Sequence, residues 1–136
     1  MSRRPDKNLD YFSKLERKVE RVLRESGIRY KHGIAEDPVR GPEAIRLPDG
    51  TLYVPDFILP DYPGIFVECK GIAYGDWESK WEGLRELGFR VLVVIPSEAE
   101  RFRVEDSCDA CLTAAEAELV PEMLIRLRRL GAGGNG

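Results

Sequence analysis

The stretch from Tyr53 to Gly71, YVPDFILPDYPGIFVECKG, restricts the possible folds more than any other part of the chain. Two apolar runs, Tyr53 to Leu59 and Ile65 to Cys69, are rich in β-branched and aromatic residues and flank the cluster Pro60-Asp61-Tyr62-Pro63-Gly64. That pattern predicts two antiparallel strands joined by a turn. Side chains alternate across a strand, so Ile65, Val67 and Cys69 share one face, a core face, while Phe66, Glu68 and Lys70 share the other. Antiparallel pairing then brings Asp56, in the first strand, close to Glu68 in the second.

Two carboxylates that converge on a mostly apolar sheet repel each other, and a divalent cation is the simplest way to neutralise them. The order Pro55-Asp56, a gap, then Glu68-Cys69-Lys70 resembles the PD-(D/E)xK metal-dependent nuclease superfamily, with Pro55-Asp56-Phe57 and Glu68-Cys69-Lys70-Gly71 as the closest elements. With the first helix included, the chain is most similar to the phage endonuclease I family of DNA junction-resolving enzymes, over residues 13 to 95. It departs from that family in its acidic overall charge, the Cys between Glu and Lys, a longer turn and a different C-terminal third.

The resemblance implies an α/β fold with a restriction-endonuclease-like core, a mixed β-sheet carrying the catalytic hairpin and flanked by helices. It implies Mg²⁺, with Mn²⁺ as a substitute, bound by Asp56, Glu68 and the backbone carbonyl of Cys69. Lys70 would orient or deprotonate the attacking water and stabilise developing negative charge. Glu16, on the first helix, would complete a second metal position or hold a metal-bound water. The implied substrate is branched DNA, a four-way junction, cut by a homodimer. The same residues also suit a nicking or restriction-type endonuclease, and a non-catalytic nucleic-acid-binding module on the same fold is the reading from another class.

Helical spacing predicts the first helix from Asn8 or Asp10 to Glu25, with Phe12, Leu15, Val19, Val22 and Leu23 as its apolar stripe and Gly27 as its stop. At about 100° per residue Glu16 lies beside that stripe and Glu20 lies further round; the resemblance, in which the first helix supplies a catalytic Glu, implies that role for Glu16, with Glu20 the alternative. Either carboxylate also suits ordinary i,i+4 pairing on a solvated helix.

Charge is unevenly spread. Residues 1 to 34 carry ten Lys or Arg against five Asp or Glu, residues 35 to 121 carry eight against eighteen, and the whole chain is −3. A net negative charge opposes phosphate binding, but a basic first helix offers Lys14 and Lys18, and a later helix offers Lys80, as DNA-contact candidates. No apolar run approaches the length of a membrane span, and no secretory leader is evident at the N-terminus, which predicts a cytoplasmic protein without a membrane partner. Cys108-x-x-Cys111 supplies half a zinc site at most, since only core-facing Cys69 and His32 remain as soft ligands, and the pair reads as plain thiols.

The expected organisation is a basic arm and helix start over residues 1–12, one domain over 13–130, and a disordered tail over 131–136. Ile28 to His32 reads as a strand, and Ala35 to Gly50 as a loop with a short strand near Ala44 to Leu47. Asp76 caps a helix from Trp77 to Leu87, in which Gly83 is a weak point. Phe89 to Ile95 is a nearly continuous apolar run, the mark of a strand covered on both faces. A short edge strand is expected at Phe102 to Val104. Thr113 to Glu116 matches a capping box, and a helix follows from Leu119 to Leu130, with Pro121 as a break or a new first turn.

Overall fold

The central strand of the molecule is the apolar run read as covered on both faces. The computed structural model describes residues 7–33, 45–70 and 77–131. Its elements are α1 (Lys7–Glu25), β1 (Ile45–Arg46), β2 (Leu52–Tyr53), β3 (Phe57–Ile58), β4 (Ile65–Cys69), α2 (Trp77–Glu86), β5 (Arg90–Ile95), α3 (Arg101–Val104), β6 (Ala110–Thr113) and α4 (Val120–Arg129). The main sheet runs β3-β4-β5-β6. β3 is antiparallel to β4, and β4, β5 and β6 are mutually parallel, so the sheet is mixed.

Both faces of the sheet are covered. On one, Leu15, Val19, Val22 and Leu23 of α1 and Leu124 and Leu127 of α4 pack on Ile65, Val67, Leu92 and Val94. On the other, Trp77, Trp81 and Leu84 of α2 pack on Phe66, Val91, Val93 and Ile95. The protein is thus a three-layer α/β/α arrangement, the usual solution for parallel strands that must bury two faces. No helix among the described residues is long and apolar enough to cross a membrane.

The hairpin forms as expected, with Phe57 opposite Val67 and Ile58 opposite Phe66. Its turn is stapled to the helical layer, because Tyr62 is buried and the Arg128 guanidinium lies 4.6 Å above its ring. The first strand, however, is not continuous from Tyr53 to Leu59. Tyr53 pairs with Ile45 in a separate two-stranded ribbon, and the chain bends through Val54-Pro55-Asp56 before joining the main sheet. Pro55 has no N–H to give to a ladder, and its carbonyl instead accepts Gly33 N–H at 3.1 Å. The ribbon rests on α2 at Gly83, where an added Cβ would lie 3.3 Å from Pro48 and 3.5 Å from Leu47. The glycine that weakens α2 as a helix is what lets the ribbon approach it.

Two other expectations change. Ile28 to His32 lies beside β3 but forms only one bridge, Lys31 with Ile58, because Gly33 turns to the Pro55 carbonyl. Phe102 to Val104 belongs to the helical turn α3, and the edge strand is β6, which gains a full parallel ladder with β5. The capping box forms as expected, the Thr113 N–H donating to Glu116 at 3.0 Å, and it opens a 3₁₀ segment, Ala114–Leu119, after which α4 starts anew at Val120 with Pro121 in its first turn. Asp76, the arm before residue 7 and the tail after Gly131 lie outside the described residues.

Candidate metal centre

Asp56 and Glu68 meet where the bend after the ribbon enters β3, at the C-terminal end of β4. The Asp56 backbone N–H donates to Glu68 Oε2 at 2.8 Å, and the Cys69 backbone N–H donates to Asp56 Oδ2 at 2.8 Å. Each carboxylate is therefore held by a peptide group next to the other. This reciprocal tie fixes both side chains without a cation from a neighbouring residue.

The environment is hostile to two negative charges. Glu68 is only 6% exposed, because the face of β4 that carries it is covered by the α2 layer rather than open. Burial, then the charge of Asp56, pushes the Glu68 carboxyl well above its ordinary range. Burial likewise raises Asp56 to about 6, against the Cys69 N–H, which pulls it down, and with help from the Glu16 charge. The Lys70 ammonium, half-buried just past the strand, favours the ionised form of both. Cys69 contributes only its backbone, since its side chain is buried in the core against α1 and burial raises its thiol.

The two helix carboxylates are about equally exposed and both approach His32, but their other partners differ. Glu16 is partly buried and raised above its ordinary value mainly by that burial, and its charge reaches Asp56 and Cys69. Glu20 is lowered, chiefly because the Tyr30 hydroxyl donates to its Oε2 at 2.6 Å, and it also lies 3.5 Å from Arg24. Between them stands His32, which sequence reasoning weighed only as a zinc ligand. Its Nδ1 is 3.2 Å from the Asp56 carbonyl oxygen and 3.8 Å from Glu16, its Nε2 is 3.7 Å from Glu20, and its ring packs on Phe57 at 4.9 Å. A lone His at the end of a short strand carries no pattern that identifies such a place in advance.

The lysines divide differently. Lys14 and Lys18 flank the buried stripe of α1 on the side away from Glu16, about 160° round the helix from it. Lys80 is half-buried and close enough to Asp49, in the ribbon turn, to help lower that carboxyl. Cys108 is buried, with its Sγ 3.2 Å from the Ala110 carbonyl, and Cys111 is half-buried; Cys69 is on the core face against α1, remote from a shared ligand set.

Asp56 and Glu68 suit a hard divalent cation by their chemistry. Each commits one oxygen to a backbone N–H, and Asp56 Oδ1 and Glu68 Oε1 stand outside those two bonds. Two desolvated carboxylates with unused oxygens are what such an ion binds. The described side chains do not close a cluster of three or more ligating groups, so water or substrate oxygens would fill the remaining positions, as Mg²⁺ commonly requires. Comparison of the chain with protein-family models, with curated proteins and with solved structures finds no match.

Proposed function

We propose that the protein is a metal-dependent DNA endonuclease that hydrolyses phosphodiester bonds, acts on branched DNA such as a four-way junction, and works as a homodimer on a restriction-endonuclease-like core. The observation that carries this reading is the locked, desolvated pair Asp56 and Glu68 with Lys70 beside it. A structural ion pair has no need to bury two carboxylates against each other, whereas a site for a divalent cation does.

In this reading Asp56 and Glu68 hold Mg²⁺ together with the Cys69 carbonyl, and Glu16 supports a second metal or a bound water. The cation supplies an activated water, charge neutralisation at the phosphate and stabilisation of the leaving oxygen. Lys70 orients the attacking water and offsets negative charge that grows on the phosphoryl oxygens. The hydrogen bonds from Asp56 N–H and Cys69 N–H keep the carboxylates in place, so the site does not reorganise when the ion enters. Symmetric cutting of a junction needs two such sites, which one chain does not supply and a two-fold dimer does. The mixed order of an antiparallel hairpin followed by parallel strands between helical layers supports the core assignment.

The test is cleavage of a labelled four-way junction beside a matched linear duplex, with Mg²⁺, with Mn²⁺ and with chelator. Paired, metal-dependent cuts confined to the junction are expected. Cutting of the duplex as well would leave a general endonuclease, and no cutting of either would leave a binding module.

A further inference from the structure

Tyr53 stands at the back of the same site and has no assigned role. It is 7% exposed, and its hydroxyl is one of two buried side-chain polar atoms among the described residues that have no hydrogen-bond partner. Tyr53 stands three residues before Asp56, whose N–H is bonded to Glu68, and it packs with Phe66, two residues before Glu68 on the same face of β4, which brings its hydroxyl to the Glu68 carboxylate; burial, then the Glu68 charge, pushes the phenol well above its ordinary value. A buried hydroxyl without a partner is costly, and Phe would fill the same volume without that cost.

The ribbon explains how the hydroxyl gets there. Tyr53 is not in the main sheet, because β2 pairs only with β1, and the ribbon is seated on α2 through Leu47 at Gly83. The Tyr53 ring lies in the apolar layer with Trp77, Trp81 and Phe66, so its hydroxyl reaches Glu68 from the face opposite α1. Glu68 has acceptor capacity for the hydroxyl, since a carboxylate offers about four lone-pair positions and the Asp56 N–H takes one.

We infer that Tyr53 is a positioning residue of the metal centre, whose hydroxyl donates to the Glu68 carboxylate when that carboxylate holds a divalent cation. The inference rests on the metal-site reading given above. Outer hydrogen bonds of this kind orient a ligating carboxylate and stabilise its charged form, and their loss commonly weakens metal binding by about tenfold or more.

The experiment is Tyr53→Phe in the full chain, with Mn²⁺ affinity by calorimetry and thermal melting of the metal-free protein measured in parallel. The expected result is Mn²⁺ binding weakened by about tenfold with a melting temperature unchanged or raised, and cleavage lowered in kcat with KM for DNA unchanged. Unaltered Mn²⁺ affinity, whether or not the melting temperature falls, would overturn the inference while leaving the metal site standing. Asp56→Asn separates the two claims. If wild type itself shows no Mn²⁺ binding that Asp56→Asn abolishes, the metal-site reading fails and the role of Tyr53 fails with it.

Discussion

Asp56 and Glu68 hold each other in place through the main chain, Asp56 donating its N–H to the Glu68 carboxylate at 2.8 Å while its own carboxylate accepts the N–H of Cys69, the next residue after Glu68. The pair is therefore rigid before any ligand arrives, and its two charges stay close together in a buried place. From that one relationship the expected pH behaviour and the tests of the proposed metal centre follow.

Asp56→Asn keeps an oxygen for the Cys69 N–H and removes the charge. Cleavage is expected to fall by at least a hundredfold while junction binding is kept or improved, read by cleavage and gel-shift assays on the same DNA. Retained cleavage would take Asp56 out of the metal site.

The stability of the metal-free protein should fall as pH rises. Asp56 is held at about 6, above its ordinary 3.8, so between those values the folded state carries a proton that the unfolded state has lost. By linkage that stabilisation is full below the lower value and lost as pH climbs through the upper one, on the order of 3 kcal/mol. Glu68 shifts in the same direction and extends the loss upward. The lowered carboxylates, Glu20, Asp49, Asp61 and Glu116, act with opposite sign, but they are exposed or partly exposed and matter only at more acid pH. Melting several degrees higher at pH 5 than at pH 7.5, with Mg²⁺ reversing the difference, is expected. A melting temperature indifferent to both would contradict the buried pair.

Lys70→Ala should lose turnover with Mn²⁺ still bound, since Lys70 is close to both carboxylates but is not a ligand. Calorimetry and single-turnover cleavage on the same preparation distinguish this from simple unfolding.

Glu16→Gln and Glu20→Gln, side by side, should differ. Glu16 lends its charge to Asp56, whereas Glu20 is engaged by Tyr30 and Arg24, so only the Glu16 variant should lower kcat. The reverse outcome would put the functional carboxylate on the other side of α1.

Gly33→Ala tests the backbone behind the site. An added Cβ would lie 2.2 Å from the Pro55 carbonyl oxygen, so the chain before Asp56 must move. A loss of about 1–3 kcal/mol, seen by thermal melting, is expected together with weaker Mn²⁺ binding. Unchanged Mn²⁺ affinity in a destabilised variant would show that the Asp56 position tolerates the shift.

The hairpin and the meeting of Asp56 with Glu68 were legible in the sequence because a two-residue alternation on both sides of a Pro-Gly-rich turn leaves one register that buries Ile65 and Val67. That Glu16 lies beside the apolar stripe follows from helical spacing, whereas the approach of both Glu16 and Glu20 to His32 comes from tertiary packing. The covering of β5 on both faces was legible from its unbroken apolar run. The ribbon was not, since strands of two residues have no period, and Tyr53 reads as the first residue of the long strand until Pro55 and Gly33 bend the chain away. Nor was α3, a single helical turn whose Phe102 and Val104 alternate as a strand would. His32 and Tyr53 were missed as neighbours of the site for a related reason. Each reaches it by tertiary packing, which no local pattern encodes.

The most direct measurement is a calorimetric Mn²⁺ titration of wild type, Asp56→Asn and Glu68→Gln at pH 7.5, with circular dichroism to show that all three are folded. Saturable binding in wild type that is lost in both variants is the expected result. Binding that survives both substitutions, or none in the wild type, would contradict the proposal that this buried pair of carboxylates is a metal centre.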